Sequence, residues 1–295
     1  MPLTIADAAA LSRNMLLKGV IETIITESAV LRHLPFVNVE GNSLKYNQEV
    51  SPGTVQFYAV GDTWNEDAMD TTEKTANLKI LGGDADVDMF LQQTYGDTNN
   101  LKALVIEKKA KAIAYAFNDA FFNGDDSVDV NSFDGLQVLS AGSRTMTKGA
   151  NGATLALDHM DELIDMVKPG KPDVLFCSKR TRRKLSSLRR ASGNLLEVGV
   201  DQFGRRATFY DGIPLEVDDN ISDVEEKGTS SDCSSIYAVK FGFQTGLCGL
   251  QNGPITVVPI GNLETKDAWR TRIKWYVSLA LFRDVALARL EGVRD

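Results

Sequence analysis

Histidine is scarce in this chain of 295 residues: His33 and His159 are the only two. A histidine-rich metal site is therefore excluded, and a Ser-His-Asp triad would have to use one of the pair. Cysteine is scarce too. Cys177, Cys233 and Cys248 form no CxxC, and an odd count without a signal peptide fits a reducing cytoplasm, with all three as small apolar fillers. No apolar run approaches the ~18 residues of a transmembrane helix, so no membrane partner is expected. The formal net charge of -8 argues against non-specific nucleic-acid binding as the main task and leaves a local basic patch open.

Catalytic signatures are missing as well. The chain has no GxSxG, no HExxH and no Cys-His pairing. Glycines cluster at Gly149-Ala150-Asn151-Gly152 and at Gly242, Gly246, Gly249 and Gly253, but neither cluster carries the GK[ST] of a phosphate loop, and GxGxxG is absent. Turns and close packing are their expected roles. Asp84, Asp86 and Asp88 fall two apart, yet a calcium loop would need glycine where Met89 stands and glutamate where Tyr95 stands. They read as the acidic face of a strand. The expectation is a chain that is not an enzyme and holds neither cofactor nor metal.

What is present is one long helical stretch, 99–122. Asn99 or Asn100 can cap it, Gly124 lies just past its end, and no Gly or Pro interrupts it. Ile106, Ala110, Ile113, Phe117 and Phe121 form an apolar stripe at helical spacing. A second stripe, Leu101, Leu104, Val105, Ala112, Tyr115 and Phe122, predicts burial on two sides, at least in the second half of the helix.

Before it, residues 3–30 read as interrupted helix and 34–39 as extended. SLKYNQEV alternates, with Leu44, Tyr46, Gln48 and Val50 on one face, and TANLKIL near residue 78 reads as its partner. The connection 51–73 holds five acids (Asp62, Glu66, Asp67, Asp70, Glu73) and no Lys or Arg. It also carries Phe57, Tyr58 and Trp64. A protruding hairpin with large aromatics and little core suggests burial against another molecule. Residues 85–94 read as a strand leading into the long helix.

After the helix, 155–167 reads as a helix capped by Asp158, DVLFC (173–177) as a buried strand, and KRTRRKLSSLRRA as a helix capped by Ser178. That last helix carries seven cations in twelve residues: Lys179, Arg180, Arg182, Arg183, Lys184, Arg189 and Arg190. Nucleic-acid contact, an acidic neighbour and a solvated face are all open readings. The acidic arm offers the opposite charge, between chains. Short strands follow at 207–217, 234–242 and 254–260, with 219–232 as an acidic surface loop. In the last forty residues Trp269, Thr271, Ile273, Trp275, Val277, Leu279 and Leu281 share one face, and Arg270, Arg272 and Lys274 the other. This strand is expected to pair with 85–94 and lie against the long helix.

The order of elements, together with FNDAFFNGD, FDGL, SKRTRRKL and FGRRATFYDGIPLEV, resembles the major capsid proteins of tailed bacteriophages. The resemblance implies an α+β fold of the Hong Kong 97 type. Residues 1–38 would be an N-terminal arm and 39–83 an E-loop. Residues 84–132 with 261–295 would form a peripheral (P) domain, and 133–260 an axial (A) domain facing the capsomer centre. It implies hexamers and pentamers of this chain in an icosahedral shell, assembled in the host bacterial cytoplasm. Packaged double-stranded DNA would lie on the inner face without sequence specificity, with a portal and a separate scaffolding protein as partners. A scaffolding segment ahead of the arm is not expected, because Met1 leads straight into it. Lysine-to-asparagine crosslinking is not expected either, since 51–73 has no lysine. The alternative is an encapsulin-like bacterial compartment enclosing a cargo enzyme. Inter-subunit contacts are expected at Phe57, Tyr58, Asp62, Trp64, Glu66, Asp67 and Asp70, and at Arg180, Arg182, Arg183, Arg189 and Arg190.

Overall fold

The computed structural model describes residues 28–51, 55–64, 70–95, 101–200 and 206–295. Helix α1 (Ala29–His33) leads into β1 (Phe36–Asn38), β2 (Ser43–Ser51), β3 (Asp70–Asn77) and β4 (Lys79–Asp88). Next come α2 (Met89–Tyr95), α3 (Leu101–Asn123), α4 (Leu136–Leu139), β5 (Thr145–Thr147) and β6 (Ala153–Thr154). An α/β stretch follows: α5 (Leu157–Asp165), β7 (Val174–Cys177), α6 (Lys179–Ala191), β8 (Glu197–Val200), β9 (Arg206–Tyr210) and β10 (Ile213–Val217). The chain closes with β11 (Glu225–Lys227), β12 (Ser230–Val239), β13 (Leu247–Gln251), β14 (Thr256–Asn262), β15 (Ala268–Leu281) and β16 (Leu287–Arg294).

The long helix α3 runs for 23 residues, about 34 Å at 1.5 Å per residue. Nothing inside it breaks the ladder. It stops at Gly124, where a Cβ would stand 2.2 Å from the Phe133 carbonyl oxygen, so only glycine lets the chain turn back there. Ile106, Ala110, Ile113, Phe117 and Phe121 are all buried. The second stripe does not form one buried face: among its described side chains Leu104, Ala112 and Tyr115 are exposed and only Phe122 is fully covered. Two-sided burial is confined to the C-terminal half, where Ala114, Asn118 and Phe122 join the core.

That half is wedged between two sheets. Phe117 meets Trp275 of β15 at 5.1 Å between ring centroids, while Phe122 meets Phe176 of β7 at 5.5 Å and Tyr237 of β12 at 5.8 Å. Burying rings of this size contributes on the order of 2–3 kcal/mol each. In the first sheet, of five strands, β15 is central: it pairs with β4 along one edge and with β13 and β14 along the other, and β1 adds to β13. The second, of nine strands, runs β5-β16-β12-β7-β10-β9-β8, with β11 on β12 and β6 on β16. Helices α5 and α6 cover its other face through Met160, Leu163, Ile164 and Leu185.

Several expectations change here. The strand expected at 85–94 is β4 to Asp88 and then helix α2, because the Asp88 carboxylate accepts from Phe90 N and Leu91 N and so caps a helix start. Asp158 is not the cap of α5; that position is Ala156, whose N–H donates to His159 Nδ1. The segment 219–232 is not all loop, since β11 and the start of β12 form a hairpin in it. The helical reading of residues 3–27 lies outside the described residues.

Candidate assembly surfaces

Strands β2 and β3 pair antiparallel from Ser43↔Asn77 to Ser51↔Asp70 and form the arm. Its base is fixed to the body. Tyr46 packs on Phe282 with 4.8 Å between centroids, and Gln48 Nε2 donates to the Leu281 carbonyl and to Asp284 Oδ1 at 2.6 Å. Burial pushes the Tyr46 phenol up to about 12, so it stays neutral at any ordinary pH.

Its tip is different. Asp62 N donates to the Ala59 carbonyl, Asp62 Oδ2 accepts from Ala59 N at 2.6 Å, and Gly61 takes φ +96, which closes a small turn. Tyr58 stacks on Trp64 at 4.4 Å. Val55, Phe57, Val60 and Trp64 are all exposed. Glu66 and Asp67 lie outside the described residues, and so does the side chain of Asp70, which opens β3.

Helix α6 forms as its cap requires: Ser178 Oγ accepts from Thr181 N, and Thr181 and Leu185 turn inward. Most of its N-terminal cations are answered within the chain. Lys179 pairs with Asp219 at 2.6 Å, Arg180 with Asp223 at 3.4 Å, and Arg183 with Asp295 at 3.6 Å. Arg180 also donates to the Asp232 carbonyl. Arg189 lies over the Tyr210 ring at 4.8 Å. Arg182 and Arg190 are exposed and pair with no acid among the described residues. The structure brings the basic helix together with the acids of 219–232 and the last residue, and among the described residues no acid of the arm reaches it.

Two further groups come together in the fold, the first without any sequence signal and the second foreshadowed by the evenly spaced aspartates and the arginine face of the last strand. At the root of the N-terminal segment, Ser28 Oγ donates to Asn118 Oδ1 at 2.5 Å, and Asn118 Nδ2 donates to Asp218 Oδ2. Beside them, Arg32 and His33 of α1 both reach Glu216 of β10, at 3.2 and 3.1 Å. Burial raises the Asp218 carboxyl, against the hydrogen bonds from Asn220. On the first sheet, Asp86 and Asp84 stand directly opposite Arg270 and Arg272. Arg270 donates twice to Asp86 and Arg272 twice to Asp84, at 2.6–2.8 Å. These guanidinium groups hold both carboxyls below the usual range. Evenly spaced aspartates thus close the exposed face of the β4–β15 ribbon.

Nothing in this arrangement gathers reactive groups. Among the described residues no three His, Cys, Asp or Glu side chains converge as a metal site. Cys177 and Cys248 are buried, which pushes their thiols up to about 12. The surfaces can bind: an aromatic, acidic arm projects from a rigid body whose charges are largely paired.

A fold of two sheets spanned by one long helix, with a hairpin reaching out of it, defines a structural protein of the Hong Kong 97 type. The chain belongs to the phage capsid family, whose model matches residues 10–250. Solved structures agree in fold. The holo-SrpI encapsulin complex from Synechococcus elongatus PCC 7942 superposes with a TM-score of 0.71 at 18% identity, covering 90% of this chain and 86% of that one. A structure from Microbacterium phage Oxtober96 gives 0.65 at 16% identity, covering 91% of each chain. The capsid of a native GTA particle gives 0.64 at 15% identity, again covering 91% of each. A search of curated proteins finds no match.

Proposed function

We propose that this chain is the major capsid subunit of a tailed phage, assembling as hexamers and pentamers into an icosahedral shell around double-stranded DNA in the host cytoplasm. Family membership supports the shell role, and the observation that carries the assembly reading is the arm. Its base is bonded to the body, while at its tip Phe57 is fully exposed and Trp64, stacked only on Tyr58 of the same tip, is still mostly exposed. An arm built this way gains its burial from a neighbour. Each contact can be modest, because every subunit makes several. Tyr58, Asp62, Glu66, Asp67 and Asp70 complete the arm's half of the contact. Of the α6 cations, Arg182 and Arg190 remain available to a neighbouring chain, whereas Arg180, Arg183 and Arg189 are engaged at home, Arg183 only through an exposed pair with Asp295 that a neighbour can replace. The segment 1–38 as N-terminal arm, a separate scaffolding protein and a portal complete the reading.

Electron microscopy of the purified protein tests it: shells or capsomers are expected, and a stable monomer at every concentration rejects it. Reversing Arg182 and Arg183 to glutamate is expected to block assembly while the subunit still folds. Normal shells from that variant would remove Arg182 and Arg183 from the contact. The encapsulin-like reading, a compartment around a cargo enzyme, draws on the 0.71 superposition with the Synechococcus encapsulin. The contents of purified particles separate the two: nucleic acid supports the phage reading, and a co-purifying enzyme supports the compartment.

A further inference from the structure

The nine-stranded sheet ends in β8, and among the described residues nothing pairs with its outer edge. Soluble proteins guard such edges with lysine, proline or a covering element. The stretch GNLLEVGV (193–200) has neither lysine nor proline, and its one charge is Glu197. Leu196, just before the strand, is buried in the cluster under α5 and α6. Val198 and Val200 continue its row two and four residues on, and they are 72% and 68% exposed, with Leu195 at 74%. The opposite face of the strand is closed, because the Phe209 ring lies so near Gly199 that a Cβ there would sit 2.7 Å from it. Arg190, exposed and unpaired, stands five residues before this patch.

A second bare aliphatic lies elsewhere on the same sheet. Val224 is 73% exposed, and Glu226 beside it on β11 is exposed and pairs with no cation among the described residues. Strand β11 pairs with β12, which is four strands from β8 in the sheet order, roughly 19 Å at the usual strand spacing. Helix α6 gives the same separation. Its first turn holds Asp223 through Arg180, and its last leads to β8 about 20 Å away. The two patches cannot meet within one chain. One is apolar with a spare cation, and the other is apolar with a spare anion. Different patches that complement each other make a head-to-tail contact, which builds a ring wherever the rotation between copies closes, and not a two-fold dimer.

We propose that the β8 patch (Val198 and Val200, with Arg190) docks on the Val224–Glu226 patch of the next copy, as the repeating contact around a capsomer. This rests on the shell reading above and assigns one of its interfaces. Charge fixes the direction of the ring, and the aliphatics supply the burial.

The test uses the full chain and its assembly threshold, read by light scattering and electron microscopy. Arg190→Glu and Glu226→Arg are expected each to raise the threshold about tenfold or more. The double variant is expected to return it to near the parent value, since the pair is restored with its signs exchanged. Val198→Lys is expected to raise the threshold with the subunit's melting temperature unchanged, because that side chain lies outside the core. Single variants that assemble like the parent overturn the contact, as does a double variant no better than either single. In both cases the parent still forms shells, so the shell reading stands. A parent that never assembles overturns both.

Discussion

Asn118 shows how much can depend on one polar side chain. It sits in the middle of the apolar face of α3 and links Ser28 to Asp218, so it ties the root of the N-terminal segment to both helix and second sheet. Asn118→Ala leaves a buried hydroxyl and a buried carboxylate short of a partner, at about 1–3 kcal/mol. Chemical denaturation of the unassembled subunit is expected to show that loss, while Asn123→Ala, at the exposed end of the same helix, stays near the parent. The aspartates of β4 give a pH signature. With Asp84 and Asp86 held low by Arg272 and Arg270, their stabilising contribution is fully present above the unfolded value near ~4. It is lost as the pH falls through the lower folded values. Asp218 works in the other direction: raised by burial, it favours the fold when protonated and costs stability as the pH rises through the usual carboxylate range. An acid titration of the subunit's melting temperature should therefore fall less steeply below about pH 4 in Asp84→Asn/Asp86→Asn than in the parent. An identical acid limb would show that the ladder contributes nothing.

At the scale of elements, the long helix and the long strand were legible because each has one strong period and no competing signal. Trp275, Ile273 and Val277 alternate over β15, and all three are buried. Trp275→Ala is expected to cost about 3–5 kcal/mol, read as a lowered denaturation midpoint, since the ring touches both Phe36 and Phe117. Elements set by a single local bond were misread. MFLQQT has the aromatic and branched look of a strand, yet one carboxylate at Asp88 starts a helix there. The second stripe of α3 looked apolar, but Leu104 and Tyr115 fall where neither sheet reaches, and periodicity does not say how far a neighbour extends. The basic run was visible as a run, but its neutralisation was not. Asp219, Asp223, Asp232 and Asp295 lie 40 to 112 positions from their partners, and only the fold brings them to α6. Glu216 and Asp218 carry no signal for the same reason: in sequence they are two acids near a turn.

For the whole molecule, the division between a fixed base and a bare tip makes the arm the place where stability and assembly separate. Tyr46 and Phe282 bury each other at the base, so Tyr46→Ala should lower the melting temperature of the isolated subunit. Phe57 contributes almost nothing to the folded monomer and Trp64 little beyond its local stack on Tyr58, because both remain exposed in it. If the tip seats in a neighbour, both become interface aromatics, for which truncation commonly costs ~2 kcal/mol or more. The double variant Phe57→Ser/Trp64→Ser is then expected to melt with the parent yet raise the assembly threshold by thirtyfold or more, taking ~2 kcal/mol as the minimum loss. Ionic strength should separate the two kinds of surface. Contacts through Arg190 and Glu226 weaken as salt rises, whereas aromatic seating holds or strengthens. A Phe57→Ser/Trp64→Ser chain that forms shells at the parent's threshold, in low and high salt alike, would mean that the tip is exposed in the shell as well. The arm would then be a surface feature of the particle rather than the strap that holds one subunit to the next.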